Sequence, residues 1–348
     1  MKKSLYSLFL VLIILSACGR HNVYINVLAP AGINVPQNIK TIAIINRTLP
    51  QNNVINVIEG VLTGEGLFQD KSGTDQALGG LNSIMSNSPR FSSKMTNVLM
   101  KGSGAGVVFP PPLDWMELEN ICRQYQTDAV CALETYDSNT DIRTSSRMVD
   151  RTDKDGKPVK QLEFTAEQSV RVHLGFRLYD PVNRTIVDQH HFTEVMNWRA
   201  TGNNELEAIG RLINKRAATD QASYAAGTKY GARISPNWIR VHREYFKKAG
   251  KNEEFKTAFR FSAAGNWDAA GQIWYKLSRS SDPKVASKAM YNYAISKEVY
   301  GDLEEAKQWA EKSYSIYNLK IGRTYSQQLM HRIFENQRLQ QQLNENNQ

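Results

Sequence analysis

Cysteine is scarce. The 348-residue chain holds three, Cys18, Cys122 and Cys131. That many residues bury substantial cores in about two domains without a disulfide framework. The sequence also lacks the short motifs of common catalytic sites. It contains no His-Glu-x-x-His, Cys-x-x-Cys or Gly-x-Ser-x-Gly, and no Gly-Lys-Ser/Thr ending to a glycine loop. Past the first eighteen residues no apolar run approaches the ~20 needed for a membrane-spanning helix. Basic residues never run longer than two, as at Lys247-Lys248. The formal charge of +9 is therefore dispersed, without the clustered patch that nucleic acid requires. Residues 241–348 carry 17 basic and 12 acidic side chains, and the surplus suits a solvated surface or contact with anionic lipid or glycan. Hydrophobic residues at 41% and charged residues at 22% argue against wholesale disorder and against a polytopic membrane protein.

What is present begins with an address. Lys2 and Lys3 precede the apolar run Leu8 to Leu15, and the run ends in Leu15-Ser16-Ala17-Cys18. This resembles the lipobox of bacterial lipoproteins, in which the cysteine thiol receives the diacylglyceryl group and becomes residue one. The resemblance implies cleavage before Cys18, a mature chain of 331 residues, and a charge of about +7. It also implies acylation, palmitate included, and membrane attachment through the lipid anchor. In lipoprotein sorting, Gly19 rather than Asp at the next position implies the outer membrane. The following Arg20, His21 and Asn22 contain no acidic export run, which favours the periplasmic face.

The mature chain reads as α+β. Residues 18–36 hold the lipidated cysteine, a tether and a first strand around Tyr24 to Leu28. An N-terminal mixed α/β sheet domain covers 37–236. Ile39 to Ile45 and Ala129 to Leu133 are buried strands, with Asn46-Arg47-Thr48 ending the first in a polar loop. Helices are expected over 75–87, from Asp114 to Gln126, and as one long element over 204–230. Segments 141–149 and 159–179 form a hairpin through Asp153-Lys154-Asp155-Gly156-Lys157, and 184–197 returns beside it. Val170, Val172, Leu174, Phe176 and Leu178 share one face, with Arg171, His173 and Arg177 on a wet one.

After Pro236 the texture becomes helical, and an all-α, tetratricopeptide-like helical-repeat domain is expected over 237–342. The expectation includes a flanking helix at 237–249, another at 321–342, and a fraying tail ending in 343–348. Ala258, Gly265 and Ala270 recur as Ala294, Gly301 and Ala306 at an offset of 36. The glycines close tight turns, and the alanines let paired helices touch.

Other candidates favour structural roles. Asp150, Asp153 and Asp155 lack calcium-loop spacing. Gly102 to Gly106 leads into prolines rather than a helix. His190 and His191 point to opposite faces of a strand. Of Trp115, Trp198, Trp238, Trp267, Trp274 and Trp309, most fit helix or strand packing positions better than a sugar platform. An exported compartment permits a disulfide between Cys122 and Cys131, and the reading favoured over it is two separate thiols on a helix and the next strand. The expected protein is not an enzyme and takes no cofactor or metal.

The segments PQNIKTIAIINRT, DAVCALETYDSNT, RLYDPVNRTIVD and YGARISPNWIRVHREYF carry a resemblance over nearly all of the mature chain. It is to an uncharacterised family of Bacteroidetes envelope lipoproteins with a tetratricopeptide-like C-terminal region. It implies fold and location and transfers no activity or site residue. The leading expectation is a scaffold whose repeats hold a protein or peptide partner, with no role for nucleic acid. The alternatives are an oligomeric secretion or pore lipoprotein using a β-hairpin around 160–198, by distant likeness to the curli-type secretion lipoprotein, and a carbohydrate-binding lipoprotein.

Overall fold

The computed structural model describes residues 19–49, 64–102 and 108–344. They form two compact units. Ala31–Asn237 makes a sheet unit, and residues 19–30 join Trp238–Asn344 in a helical unit.

The sheet unit is built on five strands in the order β3-β2-β4-β5-β6. They are β2 (Thr41–Leu49), β3 (Ser92–Lys101), β4 (Ala129–Thr152), β5 (Pro158–Asp180) and β6 (Thr185–Gly202). β2 runs parallel to both β3 and β4, whereas β4, β5 and β6 form an antiparallel meander. β2 and the start of β4 are buried on both faces, as their continuous apolar runs require, whereas β3 is a half-exposed edge strand. Ile42 and Ile44 face a core with Cys131, Leu133 and the β5 residues Val170 to Leu178. Ala43 and Ile45 face the other way, against Val130, Ala132 and helix α2 (Trp115–Tyr125). Each fully buried isoleucine contributes ~2 kcal/mol. Asp114 caps α2 by accepting from the Met116 N–H at 2.8 Å.

The larger core lies beneath α1 (Gly64–Ser86) and α4 (Lys215–Ile234). Small residues on α4 serve the contact with α1. A Cβ at Gly227 would overlap the Ala77 carbonyl oxygen, and one at Gly80 would overlap that of Tyr224. The expected single helix over 204–230 is instead two, α3 (Glu205–Gly210) and α4, because Asn214 ends the link and caps the second by accepting from Arg216 N–H at 2.9 Å. The β4–β5 hairpin turns through Asp153, whose carboxylate accepts from the N–H groups of Asp155 and Lys157 at 2.9 and 2.8 Å. Gly156 supplies the positive φ of 79°.

The helical unit contains α5 (Glu253–Ala263), α6 (Trp267–Leu277), α7 (Pro283–Val299), α8 (Leu303–Ser315) and α9 (Lys320–Asn344). Asn252, Asn266, Asp282 and Asp302 cap the first four through side-chain oxygens. The unit is not wholly helical. Residues expected as a helix at 237–249 form strand β7 (Asn237–Phe246), which pairs with β1 (Arg20–Ala29). Gly19 accepts from Lys247 N–H at 3.1 Å and Asn26 accepts from Arg240 at 3.3 Å, so the two strands run in opposite directions. The alternation Val241, Arg243, Tyr245 puts one face of β7 toward the helices, and Tyr245 packs against Trp267 and Trp274. The first strand thus belongs with the helices rather than forming a tether.

Candidate functional site

The six residues related by the offset of 36 form three matched pairs. Ala258, Ala270, Ala294 and Ala306 are fully buried in the helical core. Gly265 and Gly301 turn the chain between α5 and α6 and between α7 and α8, with φ of 84° and 83°. Such left-handed values suit glycine. Trp274 and Ala310 are also both buried at equivalent places.

A pocket of about 340 Å³ opens between α6 and α7. Trp267, Gln272, Tyr275, Tyr293, Lys297 and Tyr300 line it, and Tyr300 is largely exposed. At its side Tyr275, Tyr293 and Trp309 form a ring cluster with centroids 5.1 to 5.6 Å apart. Glu305 fixes this cluster by accepting from the Tyr293 hydroxyl and the Trp309 ring N–H, each at 3.2 Å, while pairing with Lys297 at 2.6 Å. The Glu305 carboxylate holds the Lys297 ammonium above its ordinary range. Gly271 keeps the floor open, since a Cβ there would meet Ser296 Oγ at 3.1 Å. The result is a small aromatic recess with a fixed polar rim, suited to packing a side chain.

Behind it lies a buried ionic clasp. Glu298 receives Arg243 through two bonds of 2.8 Å, the Tyr325 hydroxyl at 2.6 Å, and Arg332. Burial alone would raise its pKa, but these donors outweigh burial and hold the carboxyl below its usual range.

The sheet unit has a second clasp that sequence reasoning missed. Arg47, expected in a polar loop, sits on a strand that continues to Leu49, and its Nη1 donates to Glu134 at 2.7 Å. Tyr179 donates to the same carboxylate at 2.5 Å. Arg177, expected on the wet face, is instead buried beside Glu134. It donates to the Pro110 carbonyl at 2.7 Å, and Arg47 donates to that of Pro111 at 2.8 Å. The cover is the 108–113 segment, where Phe109 stacks on His191 at 3.8 Å and lies under Arg177 at 4.5 Å. Burial raises the pKa of Glu134, with Tyr179 and both arginines pulling it back, and Tyr179 is pushed up to about 12. The available signal was a charge interrupting two apolar strands at IAIINR and AVCALE. The arrangement pins a segment to the sheet, since Arg47 and Arg177 bind the Pro111 and Pro110 carbonyls, while Arg47 and Tyr179 also donate to Glu134.

Further along the same face, a concavity of about 910 Å³ is lined by Asn139, Asp141, Arg143, Glu167, Arg171 and Arg199. Its charges partly neutralise one another, with Arg143 on Asp141 at 2.7 Å and Arg199 on Glu167 at 3.7 Å.

The remaining candidates are dispersed. Cys18 and residues 103–107 lie outside the described residues. Cys122 on α2 is half-buried, Cys131 on β4 is fully buried, and both are free thiols. Asp153 is spent on the hairpin turn, with Asp150 on β4 and Asp155 in the turn. His190 stacks on Phe192, away from the Phe109 partner of His191. Trp115, Trp198, Trp267 and Trp309 are partly buried against cores, and Trp238 is exposed on β7. Among the described residues no three His, Cys, Asp or Glu side chains gather to hold a metal ion, and no helix is long and apolar enough to cross a membrane.

The fold is that of a mixed α/β sheet protein with a C-terminal helical region. The chain belongs to the family described as domain of unknown function DUF8603, which matches residues 39–246. Residues 256–342 match a second domain of unknown function, DUF6340. No curated protein matches the chain. Among solved structures, a PelC dodecamer from Paraburkholderia phytofirmans is similar at 10% identity and a TM-score of 0.23, over 61% of this chain and 98% of that one. A neuraminyllactose-binding hemagglutinin homolog from Helicobacter pylori is similar at 15% identity and a TM-score of 0.27, over 59% and 90%. Likeness at that level assigns no function.

Proposed function

We propose that the protein is an envelope lipoprotein, anchored by acyl chains on Cys18 to the outer membrane and facing the periplasm. Its helical unit acts as a non-enzymatic, tetratricopeptide-like scaffold for a protein or peptide partner. The observation that carries the scaffold reading is the aromatic recess between α6 and α7, where Tyr300 stands exposed over a rim held by Glu305 and Lys297. Exposed aromatic rings are the usual anchors of partner binding. Two helix pairs with matching glycine turns 36 residues apart support the repeat reading. The apolar face of β5 from Val170 to Leu178 is taken up by the sheet core, which favours the scaffold over a lipid-inserted hairpin.

The test is photo-crosslinking in native envelopes from a benzoylphenylalanine placed at position 300, with position 157 on the β4–β5 turn as the comparison. Discrete adducts from 300, lost on Trp267→Ala, are expected. No adduct from 300, or the same adducts from both positions, contradicts the scaffold.

A further inference from the structure

Five lysines collect where the described chain enters the helical unit. The Gly19 carbonyl accepts from the Lys247 N–H at 3.1 Å. Lys248 and Lys251 follow in the turn that leads to α5, and both are exposed. Lys288 of α7 reaches into the same turn. Its Nζ donates to the Lys248 carbonyl at 3.4 Å and lies 4.8 Å from the Phe246 ring centroid. Lys284, one helical turn earlier on α7, is exposed. Burial and the charges of Lys248 and Lys284 all lower the pKa of Lys288, as expected of like charges in close company.

The neighbouring acids do not neutralise this group. Glu244 pairs with Arg20, Glu253 with Lys256, and Glu254 with Lys276. Asp282 accepts the backbone N–H groups that open α7. None of the five lysines forms an ion pair among the described residues. The chain's excess positive charge, dispersed in the sequence, is thus locally concentrated by folding.

The position of the group gives it a partner. Successive Cα atoms are ~3.8 Å apart, so Cys18 lies one residue step from the glycine that touches Lys247. An acyl anchor on Cys18 brings the 247–251 turn to the membrane surface, within the ~8–10 Å over which exposed charges act at physiological salt. We propose that Lys248, Lys251 and Lys284, with Lys247 and Lys288 behind them, form a docking surface for anionic phospholipid headgroups. The surface sets the helical unit against the bilayer beside its anchor. This rests on Cys18 being the attachment point. A basic patch beside an acyl anchor is a second attachment signal, and each lysine at an anionic surface changes affinity about fivefold.

The test uses the mature chain, residues 18–348, carrying Cys18→Ser so that no acyl group contributes. Sedimentation with vesicles of phosphatidylcholine containing one-third phosphatidylglycerol is compared with phosphatidylcholine alone. Binding to the anionic vesicles only is expected, with loss at high salt. The triple variant Lys248→Glu, Lys251→Glu and Lys284→Glu is expected to bind at least about tenfold more weakly. The matched variant Lys154→Glu, Lys157→Glu and Lys160→Glu, on the β4–β5 hairpin, changes net charge equally and is expected to retain binding. Circular dichroism confirms folding, and glutamine at the same three positions replaces glutamate if the charge reversal unfolds the chain. Equal binding to both vesicle types, binding to neither, or loss with the hairpin variant instead overturns the proposal. Because this chain carries no lipid, the result is independent of whether Cys18 is acylated in cells.

Discussion

Arg243 on β7 grips Glu298 of α7 through Nε and Nη2, both at 2.8 Å, and the glutamate carboxylate has no solvent contact. This pair ties a strand to a helix bundle. With β1 paired to β7, it makes residues 20–29 part of the helical unit although most of the chain separates them from it in sequence.

Removing one side of that pair leaves a buried charge short of partners. Arg243→Met is expected to destabilise the helical unit by about 3 kcal/mol, at the low end of the range because Arg332 and Tyr325 remain on Glu298. Adding Glu298→Met is expected to cost less than the sum of the two single changes. Urea unfolding of the four chains measures both effects. Additive losses contradict the coupling.

Glu134 and Glu298, the carboxylates of the two clasps, have opposite pH dependence. The folded pKa of Glu298 lies below its ordinary 4.5. Its contribution is present above about pH 4.5 and is lost as pH falls through the lowered value. The stability gap between the wild-type chain and Glu298→Gln is therefore wide at neutral pH and narrows in acid. Glu134 has a folded pKa above 4.5, so its contribution is present below about 4.5 and is lost as pH rises through the raised value. Relative to the wild-type chain, Glu134→Gln gains stability across that interval. Melting temperatures from acid to neutral pH read both trends, and parallel curves would refute them.

Glycines fall into two classes. At Gly301 a Cβ meets nothing within 4 Å, so Gly301→Ala is charged only for the positive φ, ~1 kcal/mol. At Gly227 a Cβ overlaps the Ala77 carbonyl between α1 and α4, so Gly227→Ala is expected to cost more, about 3 kcal/mol. Equal losses in denaturant unfolding would contradict the close helix contact.

The two thiols differ in access. Burial raises the pKa of both, most strongly for Cys131, which is fully buried. In the Cys18→Ser chain without reductant, a thiol reagent is expected to label Cys122 slowly in the folded state and Cys131 only after unfolding. Recovery of no thiol after unfolding would show a disulfide.

Much of this architecture is legible locally. The apolar runs at Ile42 to Ile45 and Ala129 to Leu133 identify strands buried on two faces, and the aspartates and glycine of 153–157 identify the hairpin. The strand at Asn237–Phe246 is hidden in the sequence because Trp238, Val241 and Tyr245 satisfy helical spacing, although only Val241 and Tyr245 share a face of the strand. Only β1, brought from the other end of the chain, decides between them. The Glu134 clasp was hidden for a similar reason. Its partner Arg47 is 87 residues away, and a lone charge after an apolar strand reads as the start of a loop. The lysine group at 247–251 and 284–288 forms only when α7 packs beside the β7 turn.

The envelope placement of the scaffold and the setting of the lysine surface against the bilayer both depend on Cys18 as the attachment point, and intact mass spectrometry of the protein extracted from its native membranes tests this most directly. The expected chain begins at Cys18, lacks the first 17 residues, and carries a diacylglyceryl group that Cys18→Ser abolishes together with membrane retention. A chain that still begins at Met1, or that begins elsewhere with an unmodified residue, would contradict it.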